Sequence, residues 1–149
     1  MKKFAFSLQK LLDYQQQMFE IELTVLGDMR AVLAAMEEDL ENTKAESVQR
    51  AVNFRQKAAK GMPAIQMETH KNYMTMLDFT IKQKEQQIQM QIATIERQAE
   101  KVLEAKREIS TIEKLRERKL EEYNHSVRKA EELFIEEFVG AARVAKAAV

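Results

Sequence analysis

Leu12, Phe19, Leu26, Leu33 and Leu40 recur at an unbroken seven-residue interval, and Ile88, Ile95, Val102 and Ile109 form a second such series. Apolar residues at this spacing line one flank of a helix and become buried only when another helix packs along that flank. The chain's only proline, Pro63, lies between the two series, two residues after Gly61. The simplest object is therefore one helix, a reversal and a second helix. The expected fold is all-α, a long antiparallel two-helix coiled-coil hairpin whose second helix overhangs at the C-terminus. Residues 1–149 form one coiled-coil domain, with helices over about 4–60 and about 67–140 and a turn over about 61–66.

Writing the seam out tests whether the arms fit. In the first arm the leucine series alternates with Leu8, Gln15, Glu22, Met29 and Met36. In the second arm Ile88, Ile95, Val102, Ile109, Arg116 and Tyr123 alternate with Ile92, Ala99, Lys106, Glu113, Leu120 and Val127. One register pairs Leu40 with Ile88, Leu33 with Ile95, Leu26 with Val102, Phe19 with Ile109 and Leu8 with Leu120. It also sets Glu22 against Lys106, a polar layer of the kind that fixes register. A slip of one heptad would bring Glu22 to Ala99 and Leu8 to Glu113, leaving charges beside apolar groups at a desolvation cost. The first register is the expected one. It centres the reversal near Ala64, with Lys57 and Lys60 complementing the closing dipole, Gly61 free to adopt a left-handed cap and Pro63 stopping the helix. The alternative is an intermolecular bundle, which such a layer does not by itself exclude.

Composition narrows the function classes. Charged residues make up 32% of the chain, with 24 basic and 24 acidic side chains interspersed, which argues against a dedicated nucleic-acid surface or a general attraction to anionic membranes. The chain has no cysteine, so disulfide and thiolate chemistry are absent. The apolar run at Phe4, Ala5 and Phe6 is too short for a signal peptide, and nothing approaches a membrane span of about 20 apolar residues. A cytoplasmic protein without direct membrane insertion is expected. His70 and His125 lack the neighbours of a metal site, Gly27, Gly61 and Gly140 form no phosphate loop, and carboxylates on an exposed helix have no environment to separate their pKa values. No enzyme, cofactor or metal is implied.

What the seam cannot bury carries the functional expectation. Past about Asn124 the second arm runs out of partner, yet the stripe continues through Val127, Ala130 and Phe134, with Leu133, Ile135, Phe138 and Val139 around it. Such an end is a docking surface, or else it folds back on Phe4 and Phe6 or frays. Near the turn Tyr73, Met76, Leu77 and Phe79 stand outside the expected seam positions Met74 and Ile81, either as a contact site or as a thicker core against Val52 and Phe54.

Four stretches carry a family resemblance. They are Phe4-Ala5-Phe6-Ser7-Leu8-Gln9-Lys10-Leu11-Leu12; Leu26-Gly27-Asp28-Met29-Arg30 leading to Met36-Glu37-Glu38-Asp39-Leu40; Asn72-Tyr73 followed by Leu77 and Ile81; and Leu115-Arg116-Glu117-Arg118-Lys119-Leu120. In this order, over nearly the whole chain, they resemble the flagellar export protein FliJ family. The resemblance implies a non-enzymatic stalk of the flagellar type III export apparatus, similar to the rotor stalk of rotary ATPases. It would bind the export ATPase hexamer and promote its assembly and activity. It would also link that ring to the export-gate membrane protein and bind export chaperones, lying at the cytoplasmic face of the inner membrane through the apparatus. Phe4, Phe6, Phe134 and Phe138 would then contact the ATPase. Tyr73, Leu77 and Met76 would contact the gate, although tyrosine stands where some relatives have phenylalanine, and the small apolar residues from Gly140 to Val149 depart from a charged end. A stalk of a virulence type III secretion system and a structural homo-oligomeric coiled coil are the alternatives.

Overall fold

The computed structural model describes residues 2–148. Two helices account for almost all of them: α1, Gln9–Ala59, of 51 residues, and α2, Ala64–Ala147, of 84 residues. They pack against each other as an all-α hairpin, and the described residues contain no strand.

The chain reverses over residues 60–63. Gly61 takes φ +98°, a left-handed conformation open to glycine without a Cβ penalty. Its N–H donates to the Ala58 carbonyl at 3.2 Å, and Lys60 N–H donates to the Lys57 carbonyl at 3.2 Å, so these two carbonyls of the last turn of α1 keep partners. Pro63 opens α2 rather than stopping α1. Its carbonyl accepts from Gln66 and Met67, and a residue without an N–H costs nothing at a helix start. The first helix begins at Gln9, not near residue 4: Phe4 and Phe6 are half-buried in a non-helical segment that ends in a turn at residues 7–8.

By contacts the chain divides into two units, one of residues 1–19 with 104–149 and one of residues 20–103. In the second unit the α1 stripe runs as the heptads dictate, with Leu26 and Leu40 buried and Met29, Leu33 and Met36 half-buried. The opposing stripe of α2 differs from expectation. From Ile88 it steps three residues to Gln91 and then four to Ile95. The interleaved series is therefore Leu77, Lys84, Gln91 and Gln98, each half-buried or buried, while Asp78 and Glu85 are exposed. Lys106 is exposed, and the expected Glu22–Lys106 layer does not form. Glu22 is met by Gln98, whose amide donates to the Glu22 carbonyl at 3.0 Å and to its carboxylate.

The physical reason is that every polar side chain in this seam finds a partner on α1. Gln91 donates to the Met29 carbonyl at 3.1 Å. Lys84 bonds Thr43 at 2.7 Å and pairs with Asp39 at 2.8 Å. A buried polar group with its bonds made costs little, so Gln91, Gln98 and Lys84 occupy seam positions while Glu85 and Lys106 stay hydrated outside. The expected pairing at Glu22 was too far along α2 by about one heptad, and the slip rejected on desolvation grounds lies nearer the structure. Glu22 is not left beside alanine alone, because Gln98 accompanies Ala99.

In the first unit Leu12 and Ile109 are buried, and Ala105 and Ile112 are half-buried in place of the exposed Lys106 and Glu113. Arg116 Nε donates to Gln9 Oε1 at 3.2 Å.

Candidate docking surfaces

The N-terminal segment is held to α2 as a strap. Tyr123 donates its hydroxyl to the Lys2 carbonyl at 2.8 Å. The Phe4 ring lies 5.6 Å from the Tyr123 ring at a tilt of 50°, and the Arg116 guanidinium sits 5.7 Å over Phe4. Tilted ring pairs and cation–π contacts each contribute about 0.5–1.5 kcal/mol. Phe4 and Phe6 are thus half-buried parts of the first unit rather than free contacts.

Past Val127 every described residue of α2 is exposed. Phe134 and Phe138 are 69% and 68% exposed, and Leu133, Ile135, Val139 and Val144 are exposed beside them. Val127, Ala130, Glu131, Phe134 and Ile135 line one open groove. The helix does not fold back on Phe4 and Phe6, since residues 128–148 are all exposed; Phe4 meets Tyr123 and Arg116 instead. Monomeric proteins leave few contiguous apolar faces of this kind uncovered, and those that remain mark contact sites.

Near the turn the expected contact residues separate. Leu77 is 4% exposed and belongs to the seam. Tyr73 is half-buried against α1: its hydroxyl donates to Glu46 Oε1 at 2.8 Å, and Arg50 lies 4.1 Å over its ring while pairing with Glu46 at 3.1 Å. The bond to the Tyr73 hydroxyl, then that to Arg50, hold the Glu46 carboxyl below the usual range. The same bond to Glu46 raises the Tyr73 hydroxyl. Met76 and Phe79 remain outside, at 52% and 61% exposure. His70 is no free surface histidine, since its ring stacks on Phe54 at 4.1 Å and 3°. Arg50, Phe54, Lys57, His70 and Tyr73 line a groove beside the turn. The heptad count singled out Tyr73 and weighed packing against Phe54, but it passed over His70 and Arg50, because the side of the interleaved series on which His70 and Tyr73 sit lay outside the counted seam.

Among the described residues no group of three or more His, Cys, Asp or Glu side chains is placed to hold a metal. Among the same residues no helix is long and apolar enough to cross a membrane. The pattern of the family described as "Flagellar FliJ protein" matches residues 4–146, nearly the whole chain. The chain belongs to the FliJ family. No curated protein and no solved structure matches it. Membership makes the chain a component of the flagellar export apparatus, in a family whose role there is non-catalytic. For a FliJ-family chain the exposed Phe134 and Phe138 face and the groove beside the turn are the two surfaces to consider.

Proposed function

We propose that this chain is the non-enzymatic stalk of the flagellar export machine, binding the export ATPase hexamer through the exposed face of α2 at Leu133–Val144 and promoting the ring's assembly and activity. The observation that carries this reading is the exposure of Phe134 and Phe138 on the portion of α2 past Val127, every described residue of which is exposed. An apolar helix face of this kind suits insertion into a groove or ring lumen, where its area leaves water. Phe4 and Phe6 serve by anchoring the strap and so fixing where the free portion of α2 begins.

The same reading assigns the contact with the export-gate membrane protein to the turn region, through Tyr73 and the groove of Arg50, Phe54 and His70, with Met76 nearby. Leu77 acts there by packing rather than by touching the gate. Export chaperones are further partners implied by the family. The chain's location is the cytoplasm, peripheral to the inner membrane through these contacts.

The test is ATP hydrolysis and ring assembly by the cognate export ATPase, with and without the purified chain. Stimulation that is lost in Phe134→Asp/Phe138→Asp, with circular dichroism unchanged, supports the stalk. Equal stimulation by the variant overturns the assignment of this face. Absence of any effect on the ATPase, with self-association through this face, replaces the stalk by a homo-oligomeric coiled coil.

A further inference from the structure

The seam with α1 is not the only heptad pattern on α2. Facing away from α1, a second series steps by three and four through Met76, Phe79, Gln83, Gln86, Met90 and Ala93. All six are exposed, with Phe79 at 61% and Met90 at 71%. Counting back, the series continues through Asn72 and Thr69 to the exposed Ile65, with Glu68 beside it. Counting forward, its next member is Arg97. In a chain that is 32% charged, a solvent-facing stripe of eight successive heptad positions without a charge, Thr69 to Ala93, is a departure that solvation does not call for. Apolar and amide side chains at these positions are what a coiled-coil seam requires, because they lose little on leaving water.

The pattern is also its own complement. Laid antiparallel on itself, the stripe pairs Met76 with Ala93, Phe79 with Met90 and Gln83 with Gln86. A large side chain meets a smaller or flexible one twice, and two amides meet, each able to donate and accept. Arg97 then lies opposite Asn72 of the second copy, with that copy's Glu68 one turn away, once at each end by two-fold symmetry. Neither Glu68 nor Arg97 makes an ion pair among the described residues; Arg97 only donates to Thr94 at 3.2 Å. Laid parallel, Arg97 would face Arg97. We infer that the outer face of α2 from Glu68 to Arg97 is an antiparallel docking surface for a second copy of this chain.

A contact one helix wide belongs to the small, reversible class of interfaces, so association is to be sought at high concentration. The experiment is sedimentation velocity of the full chain over about 10–500 µM, a range suited to a small, weak interface. The expected result is a concentration-dependent rise towards dimer that Phe79→Asp removes and Phe134→Asp/Phe138→Asp leaves in place. Because the chain has no cysteine, introduced thiols report geometry cleanly. Met76→Cys and Ala93→Cys proteins, mixed and oxidised with copper phenanthroline, should cross-link several-fold more than either protein alone. A monomer throughout the range overturns the inference, as does a dimer that survives Phe79→Asp or one lost with Phe134 and Phe138. Cross-linking of Met76→Cys with itself as strong as in the mixture overturns the antiparallel arrangement. A monomer would leave this stripe to a helix of another protein.

Discussion

Replacing Leu77 by alanine separates a packing residue from a contact residue. At 4% exposure its side chain is buried between the helices, and truncation removes three carbon atoms at about 0.8 kcal/mol each. The transfer contribution is thus about 2.4 kcal/mol, and incomplete collapse of the seam raises the cost to about 3 kcal/mol. For a chain of this size each kcal/mol moves the melting temperature by about 2–4 °C, so Leu77→Ala should melt about 6–12 °C lower. Met76→Ala, one position earlier and 52% exposed, should fall within about 0.5 kcal/mol of the parent. The assay is circular dichroism at 222 nm through thermal melting, run on both variants at equal concentration. A Leu77→Ala melt within 1 °C of the parent would refute the seam placement and return Leu77 to the candidate contact surface. In a binding assay with the export-gate protein proposed above, loss of binding in Leu77→Ala alone would report packing, whereas loss in Met76→Ala would report contact.

Gln98→Leu should cost about 1–3 kcal/mol by leaving Glu22 without its amide donor, and Glu22→Leu in the same chain should recover most of it; denaturant melts of the two variants decide. Glu46 has a lowered folded pKa, so its contribution is present above the unfolded value and fades as pH falls through the folded one. Tyr73 has a raised one, so its contribution is present below the unfolded value near 10 and is lost as pH rises through the folded one. Tyr73→Phe should therefore move the carboxyl titration of Glu46, followed by carbon-13 NMR, to higher pH, and an unmoved titration would exclude the bond. Gly61→Ala, forced to hold φ near +98°, should destabilise the turn by about 1 kcal/mol, read as a lower melting temperature with unchanged helicity at low temperature.

The heptads of α1 and the break at Gly61 made the hairpin legible, because a large apolar residue at every seventh position from Leu12 to Leu40 and a glycine beside a proline are signals read directly from residue types. The partner stripe was harder. A count that prefers apolar residues takes Ile92 and Ala99 from Ile88, whereas the helix places Gln91 and Gln98 in the seam. Their amides become acceptable only once the Met29 and Glu22 carbonyls opposite are known. That single choice also put Lys106 in a layer it does not join and left Leu77 outside one it does. The apolar excess at Phe134 and Phe138 was legible as a stripe running past its partner, but its exposure was not, because Phe4 and Phe6 could have covered it and instead pack elsewhere. The strap was not, since an interaction of Tyr123 with the carbonyl of residue 2 has no side-chain signature there.

That last bond has an evolutionary and practical corollary. A hydroxyl that grips a main-chain carbonyl is indifferent to which amino acid supplies it, so position 2 can drift freely. It is not indifferent to spacing. One residue inserted between positions 2 and 4 would carry either the carbonyl or the Phe4 ring out of reach of Tyr123 and Arg116. Substitutions there should be silent where insertions and deletions are not, and a fusion at this terminus should be chosen for how it leaves the count from residue 2 to Phe4.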